Sequence, residues 1–274
     1  MLYREHRPSP PLSRFVSCLW YCEAYTAPHA FEKVLPNGSV QIVINLDRPA
    51  ITNYEWQANR LIEVQRAPLL ITGLQTKAML VDTRDMRRLV GVLFAPGGAP
   101  AILGIPAHEL TDLDVDLYAG SLRDRLLEAN NPFQVLEAWL CTRLGQGLSP
   151  HPAIAWSLRH IDLPLPELLR QTKLSDRRFR ELFRAQVGVP PKLYQRIQRF
   201  RAAIHRANET AEPHWTRLAQ DCGYFDQAHF VHDFKAFSGF TPSQYPQRKL
   251  HWAGHVSADS YKEFPAKSGM LIEA

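Results

Sequence analysis

The rhythm of hydrophobic and polar positions changes once along the chain. Up to about residue 117, apolar residues come in short runs divided by turn residues. FVSCLWYC reads as a strand. VLPNGSVQIVINL carries a turn signal at Pro36-Asn37-Gly38, then an alternating and finally apolar run. APLLITGL, KAMLVD and RRLVGVLFAPGG predict further short strands, and Pro96-Gly97-Gly98 ends the last at a strand-to-helix turn. Short strands with turn chemistry between them predict an antiparallel sheet closed or folded on itself, a small β-barrel-like domain.

From about residue 118 the period becomes helical. Ser121 to Asp124 fits a capping box with an acidic third position. Phe133, Leu136, Leu140 and Leu144 follow at helical spacing behind an Asn131 cap and Pro132. GQGLSPHP, residues 145–152, has turn residues and no apolar periodicity, and reads as a linker. Beyond it the chain predicts helices in PAIAWSLRHI, LPELLRQT, SDRRFRELFRAQ, KLYQRIQRFRAAIHRA, WTRLAQDC and DQAHFVHDFKAF. The long one carries Leu193, Ile197, Phe200, Ile204 and Ala207 on one stripe. After Pro246 no strong periodicity remains, and a loosely packed tail is expected.

Two stretches of this helical half repeat one another. FRELFRAQVGVPPKLY and FVHDFKAFSGFTPSQY align at an offset of 51 residues. The offset brings Phe179 onto Phe230, Phe183 onto Phe234, Arg184 onto Lys235, Gly188 onto Gly239, Pro191 onto Pro242 and Tyr194 onto Tyr245. Each copy reads as an apolar helix, a tight turn, a cap (Ser175 or Asp226), a second helix and a terminating glycine. Helix, tight turn, helix is the unit that lays its second helix in a DNA major groove.

Once the apolar stripe of each second helix is fixed, the outward residues follow. In the first copy they are Ser175, Arg177, Arg178, Arg180, Glu181 and Arg184. In the second they are Asp226, Gln227, His229, His232 and Lys235. Arginine can bridge the two acceptors of guanine, glutamine can read adenine, glutamate can accept from cytosine, and lysine can neutralise a phosphate. An arginine-rich face by itself is commonly a solvated face. Its recurrence in two copies, joined by a long helix bearing Arg196, Arg199, Arg201 and Arg206, favours a DNA surface. The acidic residues among the arginines favour discrimination between bases over a nonspecific basic patch.

Charge agrees with this division. Residues 151–250 hold 16 Lys+Arg against 9 Asp+Glu, and the remainder 16 against 18, so the whole positive excess lies in one segment. Such a segment suits a polyanion, because each neutralised phosphate releases counterions. At 274 residues and 45% hydrophobic composition, the chain fits two ordinary domains and is not disordered. It has no run of about 18 apolar residues and no secretory leader at MLYREHRPSP, so a cytoplasmic protein without a membrane span is expected.

The segment from about Pro164 to Tyr245 resembles the AraC/XylS family of bacterial transcription regulators. LAQDCGYFDQAHFVHDFKAFSGFTPSQY looks very like that family's signature, with its glycine, aspartate-glutamine, histidine-phenylalanine, phenylalanine-lysine, glycine, proline and tyrosine in register. The resemblance maps the reading helices onto Ser175 to Gln186 and Asp226 to Phe237. Three positions depart from it: Lys173 stands where glycine is usual, Leu169 where a small residue is, and Phe225 where serine is. RPSPPLSRFVSCLWY, KVLPNGSVQIVINL and VGVLFAPGGAPAILGIPAHELTDL look like a domain fused to such regulators. The resemblance implies a domain that senses a small-molecule effector or mediates homodimerisation, and a contact with RNA polymerase.

Other chemistry finds little footing. Cys18, Cys22, Cys141 and Cys222 match no zinc ligand set, and Cys18 and Cys22 lie about 13 Å apart along a strand, too far for a disulfide. His229 and His232, three apart, could ligate a metal, but they fall on the DNA-facing helix. No HExxH, phosphate loop or nucleophile elbow is present, and no clustered His/Glu set for a cupin-like enzyme. Trp20, Tyr21, Tyr54 and Trp56 read as core aromatics before they read as a pocket. No cofactor or metal is expected. The rival from another class is a DNA-docking alkyl-transfer repair enzyme, which needs a reactive cysteine in an electropositive setting.

The expected architecture is α+β in two domains: a barrel-like domain with trailing helices over residues 1–147, and an all-α tandem helix-turn-helix domain over 148–250 whose units are joined by a long helix. Residues 251–274 form an extension of unclear structure. The expected function is a sequence-specific regulator, read as an activator and not as an enzyme, that binds double-stranded DNA.

Overall fold

A computed structural model describes residues 1–57, 60–145, 150–210, 212–250 and 254–258. Half of the linker expected at residues 145–152 (146–149) lies outside the described residues, as does most of the tail.

The N-terminal half is β-rich, but its strands form three sheets and not one closed barrel. The largest is antiparallel and six-stranded, in the order β1 (Leu2–His6), β2 (Val16–Glu23), β9 (Arg88–Phe94), β4 (Gln41–Asn45), β7 (Leu69–Thr72), β10 (Asp114–Asp116). A second sheet joins β11 (His255–Ala258), β3 (Phe31–Val34) and β8 (Met79–Asp82). β5 (Ile51–Gln57) and β6 (Arg60–Arg66) form a hairpin. The helices of this half are α1 (Ala99–Leu103), α2 (Leu122–Glu128) and α3 (Pro132–Cys141).

Strand alternation gives the large sheet two different apolar faces. Leu19, Tyr21, Ile42, Ile44, Val90, Val92 and Ile71 point into one core, closed by Leu122 and Leu126 of α2 and Leu136, Trp139 and Leu140 of α3. Their neighbours on the same strands, among them Trp20, Val43 and Leu93, face a cavity on the opposite side. The strand aromatics therefore divide: Tyr21 is core, while Trp20 lines the cavity. Asn131 caps α3 by accepting from the Phe133 amide at 3.1 Å, as its sequence implies. The capping box expected at Ser121 does not form: the residue sits at the cap of α2 and its side chain makes no cap bond.

The C-terminal half is helical: α4 (Pro152–Arg159), α5 (Leu165–Thr172), α6 (Asp176–Val187), α7 (Pro191–Asn208), α8 (Trp215–Asp221), α9 (Gln227–Ser238) and α10 (Tyr245–Arg248). One core runs through all of them except α10's solvent side. It includes Phe179, Phe183, Tyr194, Ile197, Phe200, Phe230, Phe234 and Tyr245. Leu35, Leu74 and Ala78 of the β-rich half belong to the same core.

Part of the tail expected to pack loosely forms a strand. His255–Ala258 join the β-rich half as β11, which pairs antiparallel with β3, His255 opposite Val34 and Ala258 opposite Phe31. The Leu35 amide also donates to the Gly254 carbonyl at 2.7 Å. A buried carboxylate fastens this junction. Glu32 is fully buried and receives hydrogen bonds from Tyr25, His29 (3.1 Å) and His255 (2.9 Å). Burial alone raises its pKa, yet the bonds from His255, Tyr25 and His29 outweigh that and hold the carboxyl below its ordinary value of 4.5. A depressed carboxyl contributes stability above its unfolded pKa and loses it as pH falls through the folded one. Glu32→Gln should thus lower stability near neutrality by about 1–3 kcal/mol. It should also flatten the loss seen on acidification below pH 4.5 in thermal melts. Unchanged acid sensitivity would assign that loss to other groups.

Candidate nucleic-acid interface

The offset of 51 residues recurs in atomic detail. The Ser175 hydroxyl accepts from the Arg178 amide at 3.3 Å, and the Asp226 carboxylate from the His229 amide at 2.7 Å. Both caps quench orphan amides at a helix start. At the other ends, the Gly188 amide donates to the Arg184 carbonyl and the Gly239 amide to the Lys235 carbonyl, each at 2.9 Å. Both glycines adopt positive φ, where a side chain would be strained. Inside, the Phe183 and Tyr194 rings meet edge-on at 5.8 Å, and their counterparts Phe234 and Tyr245 at 5.9 Å. The departure at Lys173 is accommodated without glycine: it takes the left-handed conformation, φ 56°, that ends α5.

Each second helix thus buries one stripe and presents another. On α6, Arg177, Arg178, Glu181 and Arg184 are exposed and Arg180 is half-buried. These side chains are not independent. Glu181 lies between Arg177 (2.9 Å) and Arg178 (3.6 Å), and Arg180 pairs with Asp176 at 2.8 Å. The hydrogen bond from Arg177 holds the Glu181 carboxyl below the usual range. A row that reads as alternating charges is therefore a set of local pairs that DNA phosphates can reopen at small cost. On α9, Gln227, His232 and Lys235 are exposed, and Asp226 is exposed while capping. His229 turns partly inward, its ring 5.3 Å from Tyr224 and its Nε2 3.6 Å from Asp233.

The arginines of α7 do other work than their sequence position suggests. Arg196 grips the buried Asp233 of α9 through Nε (3.1 Å) and Nη2 (2.7 Å). Arg199 lies 5.5 Å from the Tyr224 ring centre, and Arg206 pairs with Asp221 at 3.1 Å. These three hold the second unit against the connecting helix. The signal for the main pair is present in the sequence: Asp233 falls within the apolar stripe of Phe230, Phe234 and Phe237, where a carboxylate needs a partner.

Two loops of the β-rich half hold the far ends of both exposed helices. The Thr111 hydroxyl donates to the Gly188 carbonyl at 2.9 Å, just past α6. The Ala78 amide donates to the Phe237 carbonyl at 2.8 Å, in the last turn of α9. Each supplies a donor to a carbonyl that the helix itself leaves open. The loops are stitched together by Asp112, which accepts from the Thr76 amide (2.6 Å) and hydroxyl (2.7 Å). Buried Lys33 of β3 adds a contact, its ammonium 5.8 Å from the Phe240 ring centre.

The cavity on the second face of the large sheet occupies about 410 Å³. Its walls are mostly apolar, with Trp20, Val43, Met79 and Leu93 among them. Arg201, Ile204 and His205 of α7 close one side, so the wall includes the helix that joins the two repeats. Cys18 and Cys22 also line it, and burial pushes both thiols up to about 11. That is opposite to the activation an alkyl-accepting cysteine needs. Among the described residues no group of three His, Cys, Asp or Glu side chains is placed to hold a metal. No described helix is long and apolar enough to cross a membrane.

The capped helix pairs, their tandem offset and their exposed basic faces define a helix-turn-helix DNA-binding module coupled to a β-rich domain. Residues 168–248 match the helix-turn-helix domain family. Residues 4–116 match a domain of unknown function, DUF6597. The C-terminal module is a helix-turn-helix domain of the AraC type. No curated protein matches the chain. Among solved structures it is similar to ToxT from Vibrio cholerae, with 9% identity, 90% of this chain and 98% of that one covered, and a TM-score of 0.48. A structure of ToxT from Vibrio cholerae O395 bound to (E)-4-(8-methylnaphthalen-1-yl)but-3-enoic acid is similar at 10% identity, 90% and 99% coverage and a TM-score of 0.46.

Proposed function

We propose that the chain regulates transcription by sequence-specific recognition of double-stranded DNA, with α6 and α9 entering two successive major-groove segments. The observation that carries this reading is the equivalence of the two capped helices, each with one buried stripe and one polar stripe, at an offset of 51 residues. One chain then reads an asymmetric site, with its contacts about 34 Å apart along the duplex. Arg177, Arg178, Arg180, Glu181 and Arg184 serve the first segment, with Ser175 at its cap. Asp226, Gln227, His229, His232 and Lys235 serve the second. Residues 148–250 are the DNA-binding piece and 1–147 the sensing piece. A mainly apolar effector fits the 410 Å³ cavity, whose wall includes α7. Activation through contact with RNA polymerase, homodimerisation through the first half, and action in the cytoplasm complete the reading.

The test is selection of bound duplexes with the purified full chain, followed by titration of the selected site and of random DNA. Arg180→Ala or Gln227→Ala should each weaken the selected site by about tenfold or more, the value of one good base contact. Binding to random DNA should stay within about twofold, since the phosphate contacts remain. An equal loss on both kinds of DNA would refute base reading. Stoichiometric transfer of a methyl group from DNA to Cys18 or Cys22 would establish the repair enzyme instead.

A further inference from the structure

Phe225 is 91% exposed, an unusual setting for a phenyl ring. It stands immediately before the Asp226 cap, so it is the residue just outside α9. An apolar residue there ordinarily folds back onto the fourth residue of the helix and fixes the entry of the chain. In α9 that residue is Phe230, and the place is taken: Tyr224, one residue earlier, packs on Phe230 with ring centres 5.1 Å apart. In the first repeat the position equivalent to Phe225 is Leu174, which is half-buried and packs on the helical core. The same position thus has its usual packing role in one unit and has lost it in the other.

Phe225 is also held in place. Tyr224 is buried and its amide donates to the Ala219 carbonyl at 3.0 Å. Asp226 is extended, at φ −150° and ψ 174°, and fixed by its bond to the His229 amide. Between two such anchors the backbone at residue 225 is fixed, so the ring is presented from a defined point beside the start of α9. It neighbours Gln227, at the N-terminal end of the helix, and in this docking geometry the N-terminal residues approach base edges.

We infer that Phe225 is a specificity residue that packs on the 5-methyl group of a thymine in the second half of the DNA site. The thymine methyl is the apolar group a major groove offers to such a ring. The inference rests on α9 being a DNA-reading helix.

Thymine-to-uracil replacement along the selected duplex tests it, since uracil keeps the base pairing and removes only the methyl. With the unaltered protein, one replacement in the second half-site should weaken binding about fourfold, the equivalent of one buried methyl. Phe225→Ala should weaken binding to the thymine duplex by a similar or larger factor and be indifferent to that replacement. Phe225→Leu should restore part of both. The thermal midpoint of each variant should match the parent, because the ring touches little of the protein. Specific binding with no uracil-sensitive position, or sensitivity that survives in Phe225→Ala, overturns the inference alone. Failure of the unaltered protein to prefer any duplex overturns the DNA-reading proposal together with it.

Discussion

Gly73→Ala should produce a large loss of stability. A Cβ at residue 73 would lie 1.6 Å from the carbonyl oxygen of Leu110 and 2.4 Å from its carbonyl carbon. Both are backbone atoms, so no side-chain rotation relieves the overlap. The loop through residues 107–113 must move as a body. Moving it strains the bond from the Gly73 amide to the Leu113 carbonyl (2.9 Å) and the bonds of Thr76 to Asp112. It also pulls Thr111 from the end of α6. Overpacking a well-formed site costs about 1–3 kcal/mol, and backbone overlap places this case at or above about 3 kcal/mol. Chemical denaturation reads the loss directly. Specific DNA affinity should fall with it, since Thr111 lies on the displaced loop and Ala78 on the loop that Thr76 and Asp112 join to it. A variant as stable as the parent would show that the loops are not joined as described.

Arg196→Ala should be nearly as costly for a different reason. Its fork holds Asp233, whose side chain is 1% exposed. Removing the guanidinium leaves a carboxylate in the core with His229 Nε2 3.6 Å away. Breaking such a pair from one side costs about 3–5 kcal/mol, more than the intact pair contributes. The lower figure applies, because Arg196 itself is 35% exposed. Asp233→Leu with Arg196→Met should recover most of the loss, since the uncompensated charge is gone. Melting temperatures of the two variants decide the matter. If the double variant is as unstable as Arg196→Ala, the pair acts through shape and not charge.

The helical half was legible because its information is local and said twice. Ser175, Asp226, Gly188 and Gly239 are caps and stops that work within one turn of where they stand. Gly38, in the turn before β4, was likewise readable from its own dipeptide, and it takes φ 76°. The β-rich half was legible only in part. Strands such as β4 and β9 announce themselves by apolar runs, but apolar on both faces reads the same whether the second face meets a core or a cavity. β11 was not legible: four residues, HVSA, pair with a strand more than 200 residues earlier. The grips on α6 and α9 were invisible for another reason. Their acceptors are backbone carbonyls, which carry no sequence signature, and their donors, Thr111 and Ala78, are ordinary loop residues. The α7 arginines misled because an arginine on a basic helix looks alike whether it meets phosphate or a buried aspartate.

The return of β11 to β3 has a consequence in time. Glu32 and His255 are separated by 223 residues. A ribosome adding about 5–20 residues per second makes the second roughly 10–45 s after the first. Once β8 has also been made, β3 has it on one side and an open edge on the other, and Glu32 still lacks its His255 partner. The edge closes only after both helix-turn-helix units have been synthesised. Birth order therefore couples the two halves: the β-rich half reaches its final form last, with both helix-turn-helix units already made.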